Sequence, residues 1–325
     1  MNILITGATG FIGSNLSKAL FEKGHQVRSL IRQSRRIDSE LRIKEFKGDL
    51  RNKESLVQAV NGTEIVFHIA GVLGEFGIPD QVYLDTHILG TKNLIDVCRE
   101  NTNLKQFIFC STIGVYGPCQ KESSYEESLY NPTNIYEYTK MEAERLVIEA
   151  AKTCFPMTII RPGLVYGPHS LHILQMFKAV QNKKFFLIGQ GKNTLHPVYI
   201  DDLIQGFLLV LNNPKAIGEI YNIAGNEAIE LRYFFQVIAD NVGVKLSKFK
   251  IPTWFATSVL YPLIFLAKIF HFQPILTKSR LRFFIDNRAC SINKAKRELD
   301  YKPKFNFEQG VKLTTQGYRE RGYLK

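Results

Sequence analysis

The stretch Thr6-Gly7-Ala8-Thr9-Gly10-Phe11-Ile12-Gly13 decides how the rest of the chain is read. A short apolar run, Asn2 to Thr6, precedes it. After it come apolar residues at Ile12, Leu16, Ala19 and Leu20, one stripe of a helix. A strand that turns into a helix this abruptly needs glycine. Gly7 permits the tight turn, Gly10 lets backbone approach an anion, and Gly13 lets the helix pack close on the strand. Backbone N–H groups around Thr9, Phe11 and Ile12 would then meet a pyrophosphate, with the positive end of the helix dipole behind them. A glycine triplet alone is also compatible with a ligand-free turn. Its place between a first strand and a first helix points to a bound dinucleotide.

Gly24 closes the first helix, and Gln26 to Ile31 reads as the second strand. Further strands are expected at Arg42 to Phe46, Glu64 to Ala70, Lys105 to Cys110 and Pro156 to Arg161. Helical patterns lie between, notably Gln81 to Glu100 and Tyr136 to Lys152. Strands alternating with helices imply parallel pairing, and nearly continuous apolar strands imply a sheet covered on both faces. The expected fold is a Rossmann-type doubly wound α/β sheet with a smaller, mostly helical carboxyl-terminal domain for substrate. The dinucleotide-binding part is expected over 1–167, with 195–225 returning to it. Segments 168–194 and 226–325 are assigned to the substrate part.

The end of the second strand bears on cofactor choice. An acidic residue there would bind the 2′-hydroxyl of NAD. The chain instead reads Val27-Arg28-Ser29-Leu30-Ile31-Arg32. Arg32, with Arg35 or Arg36, is suited to a 2′-phosphate, which favours NADP with NAD as the alternative. The same arginines are also compatible with a solvated loop. Gly48-Asp49-Leu50 follows the third strand; Asp49 either accepts from an adenine amino group or caps the next helix.

Tyr136 and Lys140 are four apart at the start of a strongly helical stretch, so they share one face. A free phenol titrates near pH ~10, too high for acid–base work at neutral pH. An ammonium one turn away, with the positive ring of an oxidised nicotinamide, would stabilise the phenolate. Thr112, just past the fifth strand, adds a hydroxyl for a substrate oxygen. A Tyr-x-x-x-Lys match by itself reads as a surface tyrosine beside a solvated lysine. The glycine turn upstream and Cys110-Ser111-Thr112 between them overturn that reading.

The chain resembles the extended short-chain dehydrogenase/reductase family. The resemblance rests on TGATGFIG from Thr6, GDL from Gly48, VFHIAG from Val66, FIFCSTIGVYGP from Phe107, YEYTK from Tyr136, RPGLVYGP from Arg161 and HPVYIDDL from His196. It implies Tyr136 as acid/base, Lys140 as its electrostatic partner that also bonds the nicotinamide ribose, and Thr112 in the family's serine or threonine position. Ser111 is then a support for the strand end. Ala70 and Gly71 would line the cofactor path, and Pro162 to Val165 would lie near the nicotinamide. It also implies a homodimer. One departure stands out: the family usually has Asn before Val-x-Gly-Thr, and this chain has His87-Ile88-Leu89-Gly90-Thr91. A titrating His87 would add pH dependence.

The 325 residues carry a net charge of +12, 45% hydrophobic and 22% charged residues. That balance favours anionic partners, but no Lys/Arg block resembles a nucleic-acid arm. Five scattered cysteines without Cys-x-x-Cys argue against a disulfide framework or a metal site and fit a reducing, cytoplasmic setting. The N-terminal residues do not read as a signal peptide.

The uncharged run Ile251 to Ala267, interrupted by Pro252 and Pro262, reads as a buried helix or one lying on a membrane surface, not a span. With VRSLIR ending the second strand and KSRLRFFIDNRACSINKAKREL from Lys278, it resembles the steroid-dehydrogenase and dihydroflavonol-reductase branches. The expected activity is hydride transfer between nicotinamide and a lipophilic or steroid-like alcohol or ketone. The alternatives are a nucleotide-sugar 4-epimerase or dehydratase, for which Arg232, Arg280 and Arg282 are candidate phosphate ligands, and a catalytically silent cofactor-binding scaffold.

Overall fold

The computed structural model describes residues 1–32, 43–74, 77–119, 123–270, 272, 274 and 276–325. Seven parallel strands form the main sheet: β1 Asn2–Thr6, β2 Gln26–Ile31, β3 Lys44–Lys47, β4 Ile65–His68, β5 Gln106–Cys110, β6 Met157–Pro162 and β7 Ile220–Ile223. Their spatial order is β3-β2-β1-β4-β5-β6-β7, with the reversal between β1 and β4. Ligands of such sheets sit at that reversal, beyond the strands' carboxyl ends.

Successive side chains of a strand point to opposite faces, and here both faces are buried. Ile3 and Ile5 pack under one layer of helices, while Leu4 packs with Val66, Phe107 and Phe109 under the other. None of these side chains is more than 1% exposed. That double burial is why the strands read as continuous apolar runs instead of alternating ones.

Helix α1, Phe11–Glu22, follows β1, and Gly24 at φ +78° ends that crossover as expected. The expected helix over 81–100 is one helical run interrupted by a π segment, Leu84–Leu89, before α2, Gly90–Arg99. Such bulges turn side chains away from the α register, often at functional sites; this one carries His87. Helix α3, Ile135–Ala151, begins at the Asn134 cap. Beyond Ala151 the α-helices are α4 Leu171–Gln181, α5 Ile200–Val210, α6 Leu231–Val242, α7 Thr253–Ile269, α8 Lys278–Ile285, α9 Asn293–Leu299 and α10 Phe307–Glu320. Among the described residues no helix is long and apolar enough to cross a membrane. Of the residues named for the third strand and the 2′ group, Arg35, Arg36 and Arg42 lie outside the described residues.

Candidate active site

The turn from β1 into α1 is built as its glycines require. Gly7 has φ +78°, and a Cβ there would lie 2.7 Å from the Ala70 backbone. A Cβ on Gly13 would lie 2.2 Å from the Gly7 carbonyl oxygen. Gly10 is the N-cap of α1, and no side chain caps the helix. The first N–H groups of α1, at Phe11, Ile12 and Gly13, thus have no intrahelical acceptor and no capping side chain, which fits an incoming pyrophosphate. Thr9 lies exposed in the same turn. Ala70, at the exit of β4, donates its N–H to Thr6 Oγ1 at 3.3 Å, locking the β4 exit loop against the turn.

The other candidate residues sit on the carboxyl side of the same sheet. Arg32 is exposed immediately after β2, close enough that its charge acts on the Asp49 carboxylate. Asp49 is held by Arg51, with Nη2–Oδ2 2.7 Å and Nε–Oδ1 3.0 Å; that hydrogen-bonded pair keeps its carboxyl below the usual range. Leu50 is buried and packs beneath Gly90. Pro162 ends β6, and Val165 lies on a short strand, Leu164–Tyr166, paired with Pro197–Tyr199.

Past the end of β5, Thr112 adopts extended backbone and accepts from Gly114 N at 3.1 Å. Across from it, Asn134 accepts from Glu137 N at 3.0 Å and starts α3, which sets Tyr136 and Lys140 one turn apart. The Thr112 hydroxyl lies beside the Tyr136 phenol, close enough to act on its proton affinity. Lys140 Nζ donates to the Cys110 carbonyl at 2.6 Å and lies 4.2 Å from the Phe109 ring centroid. The three residues therefore meet at the end of β5. Beside them the Ser111 hydroxyl is buried with no hydrogen-bond partner among the described residues.

Burial pushes the Tyr136 phenol above its ordinary value, and Cys110 and Glu137 add to the rise. The neighbouring Thr112 hydroxyl pulls the other way. The ammonium of Lys140, expected to be the main lowering influence, is turned to the Cys110 carbonyl instead. Burial brings it down to about 8. In this state the phenol is protonated at neutral pH, ready to donate.

His87 differs from its sequence expectation. Val72 N–H donates to its Nε2 at 2.9 Å, so that nitrogen carries no proton. Its Nδ1 is 2.8 Å from Thr139 Oγ1, which donates to the Ile135 carbonyl at 2.8 Å. The network assigns the proton to Nδ1. Burial, with Lys140 nearby, lowers His87 to about 3, so it does not titrate in the physiological range. Its ring stands edge-on to Tyr136 at 5.7 Å. A Cβ on Gly71 would meet His87 Nε2 at 3.1 Å, and one on Gly74 would meet Tyr136 Cβ at 3.5 Å. The β4 exit loop thus touches Gly7 at one end and Tyr136 at the other.

Sequence reasoning passed over two supporting groups. Thr139, inside the Tyr136–Lys140 motif, ties His87 to the first turn of α3; its place three residues after Tyr136 was the available signal. Arg161 and Glu144 form a buried ion pair, 1% and 0% exposed, with Nε–Oε1 3.1 Å. Arg161 also donates to the Glu126 carbonyl at 2.8 Å, and Tyr130 donates to Glu144 at 2.7 Å. The pair fastens α3, which carries Tyr136 and Lys140, to β6. An arginine between apolar strand residues was its only trace in the sequence.

A doubly wound sheet whose strand order reverses beside a glycine turn is the architecture of dinucleotide-dependent enzymes. Comparison with known proteins narrows the class: residues 3–224 match the family model described as the NAD dependent epimerase/dehydratase family. The chain belongs to that family, within the extended short-chain dehydrogenase/reductases. It is 27% identical over 329 residues to a mouse protein named sterol-4-alpha-carboxylate 3-dehydrogenase, decarboxylating, covering 97% of this chain and 90% of the mouse protein. It is 32% identical over 266 residues to an uncharacterized UDP-glucose epimerase of Bacillus subtilis (strain 168), covering 75% of this chain and 83% of that protein. The crystal structure of UDP-glucuronic acid 4-epimerase from Bacillus cereus, in complex with UDP-glucuronic acid and NAD, superposes with TM-score 0.78 at 26% identity. That match covers 99% of this chain and 100% of the epimerase.

Proposed function

We propose that the protein transfers a hydride between NADP(H) and a lipophilic, steroid-like alcohol or ketone, with Tyr136 as the acid/base. The observation that carries this reading is the meeting of Thr112, Tyr136 and Lys140 at the end of β5. Nicotinamide, when bound, would supply or take up the hydride at the substrate carbon. Thr112 holds the substrate oxygen, and Tyr136 passes its phenolic proton to that oxygen as the ketone becomes an alcohol. The resulting phenolate recovers a proton from water. In oxidation the same phenolate removes the hydroxyl proton. Lys140, anchored on Cys110 one turn along α3 from Tyr136, would add positive charge to the site as the phenolate develops and has protons to offer a cofactor ribose.

The N–H groups of the glycine turn would hold the pyrophosphate, Arg32 the 2′-phosphate and Asp49 the adenine side. Ala70, Gly71, Pro162 and Val165 would line the path to the nicotinamide. Residues 168–194 and 226–325 would enclose the substrate. A cytoplasmic homodimer with peripheral membrane contact belongs to the same reading. The exposed apolar α7 favours a lipophilic substrate over a sugar diphosphate. The relative at 32% identity favours the second reading, a nucleotide-sugar 4-epimerase.

Native mass spectrometry identifies the retained dinucleotide, and a substrate panel separates the readings. The proposal expects net cofactor consumption with sterol-like alcohols or ketones and a loss of about 10²–10⁴-fold in Tyr136→Phe. Turnover of sugar nucleotides without net consumption selects the epimerase. A chain that binds neither coenzyme ends both.

A further inference from the structure

Residues 241–285 hold seven lysines and arginines and no aspartate or glutamate. This one segment therefore carries more than half of the chain's net charge of +12. It also carries eleven of the twenty-four large apolar side chains that stand exposed among the described residues. Seven of those eleven apolar side chains stand on α7, and six of the seven cations lie in the segments on either side of it.

Ala256, Leu260 and Ala267 form its buried face and are 3%, 4% and 3% exposed. The first two pack with Ile188 and Leu281. At 100° per residue, Trp254, Tyr261 and Phe265 fall on the opposite face, with Ile269 beside them. These four are 72%, 62%, 64% and 52% exposed. A surface helix of a water-surrounded domain is polar on that face. Here a stripe of aromatic and aliphatic side chains stands in its place. Lys278 extends over the Tyr261 ring at 5.2 Å, setting a cation at the edge of the stripe. Lys245 and Lys248 stand exposed on the approach to the helix.

We propose that α7 docks on the headgroup layer of an anionic bilayer, its stripe in the interface and the flanking cations against lipid phosphates. The charge argues for this occupant. A second copy of the chain meeting this face across a two-fold axis would set the exposed Lys245, Lys248 and Lys278 of one protomer against the same cations of the other. A bilayer of acidic lipids answers every one. The helix has only 17 residues and an internal proline, Pro262, so it lies on the surface and does not span it. The inference rests on the membrane contact named under the proposed function. It adds the surface, the lipid charge and a route by which a lipophilic alcohol or ketone arrives without crossing water.

Trp254 is the chain's only tryptophan and lies on the stripe, so the full-length protein reports its own docking. Vesicles of phosphatidylcholine with about 30% phosphatidylglycerol are expected to shift its emission to the blue and to carry the protein in flotation. The shift is expected to fade at about 0.5 M salt. Lys245→Glu, Lys248→Glu and Lys278→Glu together are expected to weaken partitioning on the order of a hundredfold. Tyr261→Ser with Phe265→Ser tests the stripe, and unchanged circular dichroism and thermal melting show that each variant folds.

No shift with anionic vesicles at low salt overturns the proposal. So does an equal, salt-independent shift with pure phosphatidylcholine, or a shift that follows protein concentration without lipid, which marks a second copy. Tyr136→Phe is expected to dock like wild type. Docking without turnover of lipophilic substrates leaves the surface standing and removes the substrate reading. Turnover without docking does the reverse.

Discussion

Replacing Lys140 with Met separates what the ammonium costs the fold from what it does in the reaction. The side chain is 4% exposed, and burial sets its pKa at about 8 against an ordinary 10.5. A lysine whose folded value lies below its unfolded value penalises the fold at low pH. Below pH 8 both states are protonated and the folded state bears the full penalty. As pH rises from 8 toward 10.5, the unfolded chain holds more protons than the folded one, so stability rises. At 1.36 kcal/mol per pH unit the penalty at pH 7 is about 3 kcal/mol. The lost bond to the Cys110 carbonyl takes back about 1 kcal/mol. Lys140→Met is therefore expected to be about 2 kcal/mol more stable than wild type at pH 7. That advantage should shrink by about 2 kcal/mol by pH ~9.5, while turnover is at least about 10²-fold lower throughout. Guanidinium denaturation of both proteins at pH 7, 8 and 9.5 measures the gap. A gap that stays level or widens with pH would refute the assignment of a strained, charged lysine at this position.

Three further outcomes follow from the same geometry. Glu144→Gln leaves the Arg161 guanidinium buried without its charge partner and is expected to destabilise the fold by about 3–5 kcal/mol, read as a fall in Tm; a change under about 1 kcal/mol would show that water reaches the pair. Gly13→Ala drives a methyl to 2.2 Å from the Gly7 carbonyl and is expected to weaken dinucleotide binding at least about tenfold by calorimetry; unchanged affinity would mean that α1 can back away from the turn. His87→Asn is expected to leave the shape of the pH–rate profile intact, because His87 is neutral throughout; a lost inflection between pH 5 and 8 would contradict its place as acceptor from Val72.

What the sequence made legible was what glycine and apolar periodicity control. The turn at Gly7, Gly10 and Gly13 requires backbone that other residues cannot supply, so the residue types stand in the sequence as a direct record of the shape. The uninterrupted apolar runs recorded burial on both sheet faces in the same way, because each strand position had to meet a core. Side-chain direction left no such record. One-turn spacing put Tyr136 and Lys140 on a common face but did not say that the ammonium would bond the Cys110 carbonyl. Spacing fixes a Cβ, whereas a lysine has four more rotatable bonds and goes where a buried acceptor lies. The protonation of His87 was hidden for the same reason: an imidazole opposite a backbone N–H must accept, and which N–H faces it is settled by a loop that is itself tied to Thr6, 64 residues before Ala70. The reactive state of this site is thus set by contacts between segments distant in sequence. The electrostatics of a Tyr-x-x-x-Lys pair must therefore be read from its neighbours across the sheet, not from the motif.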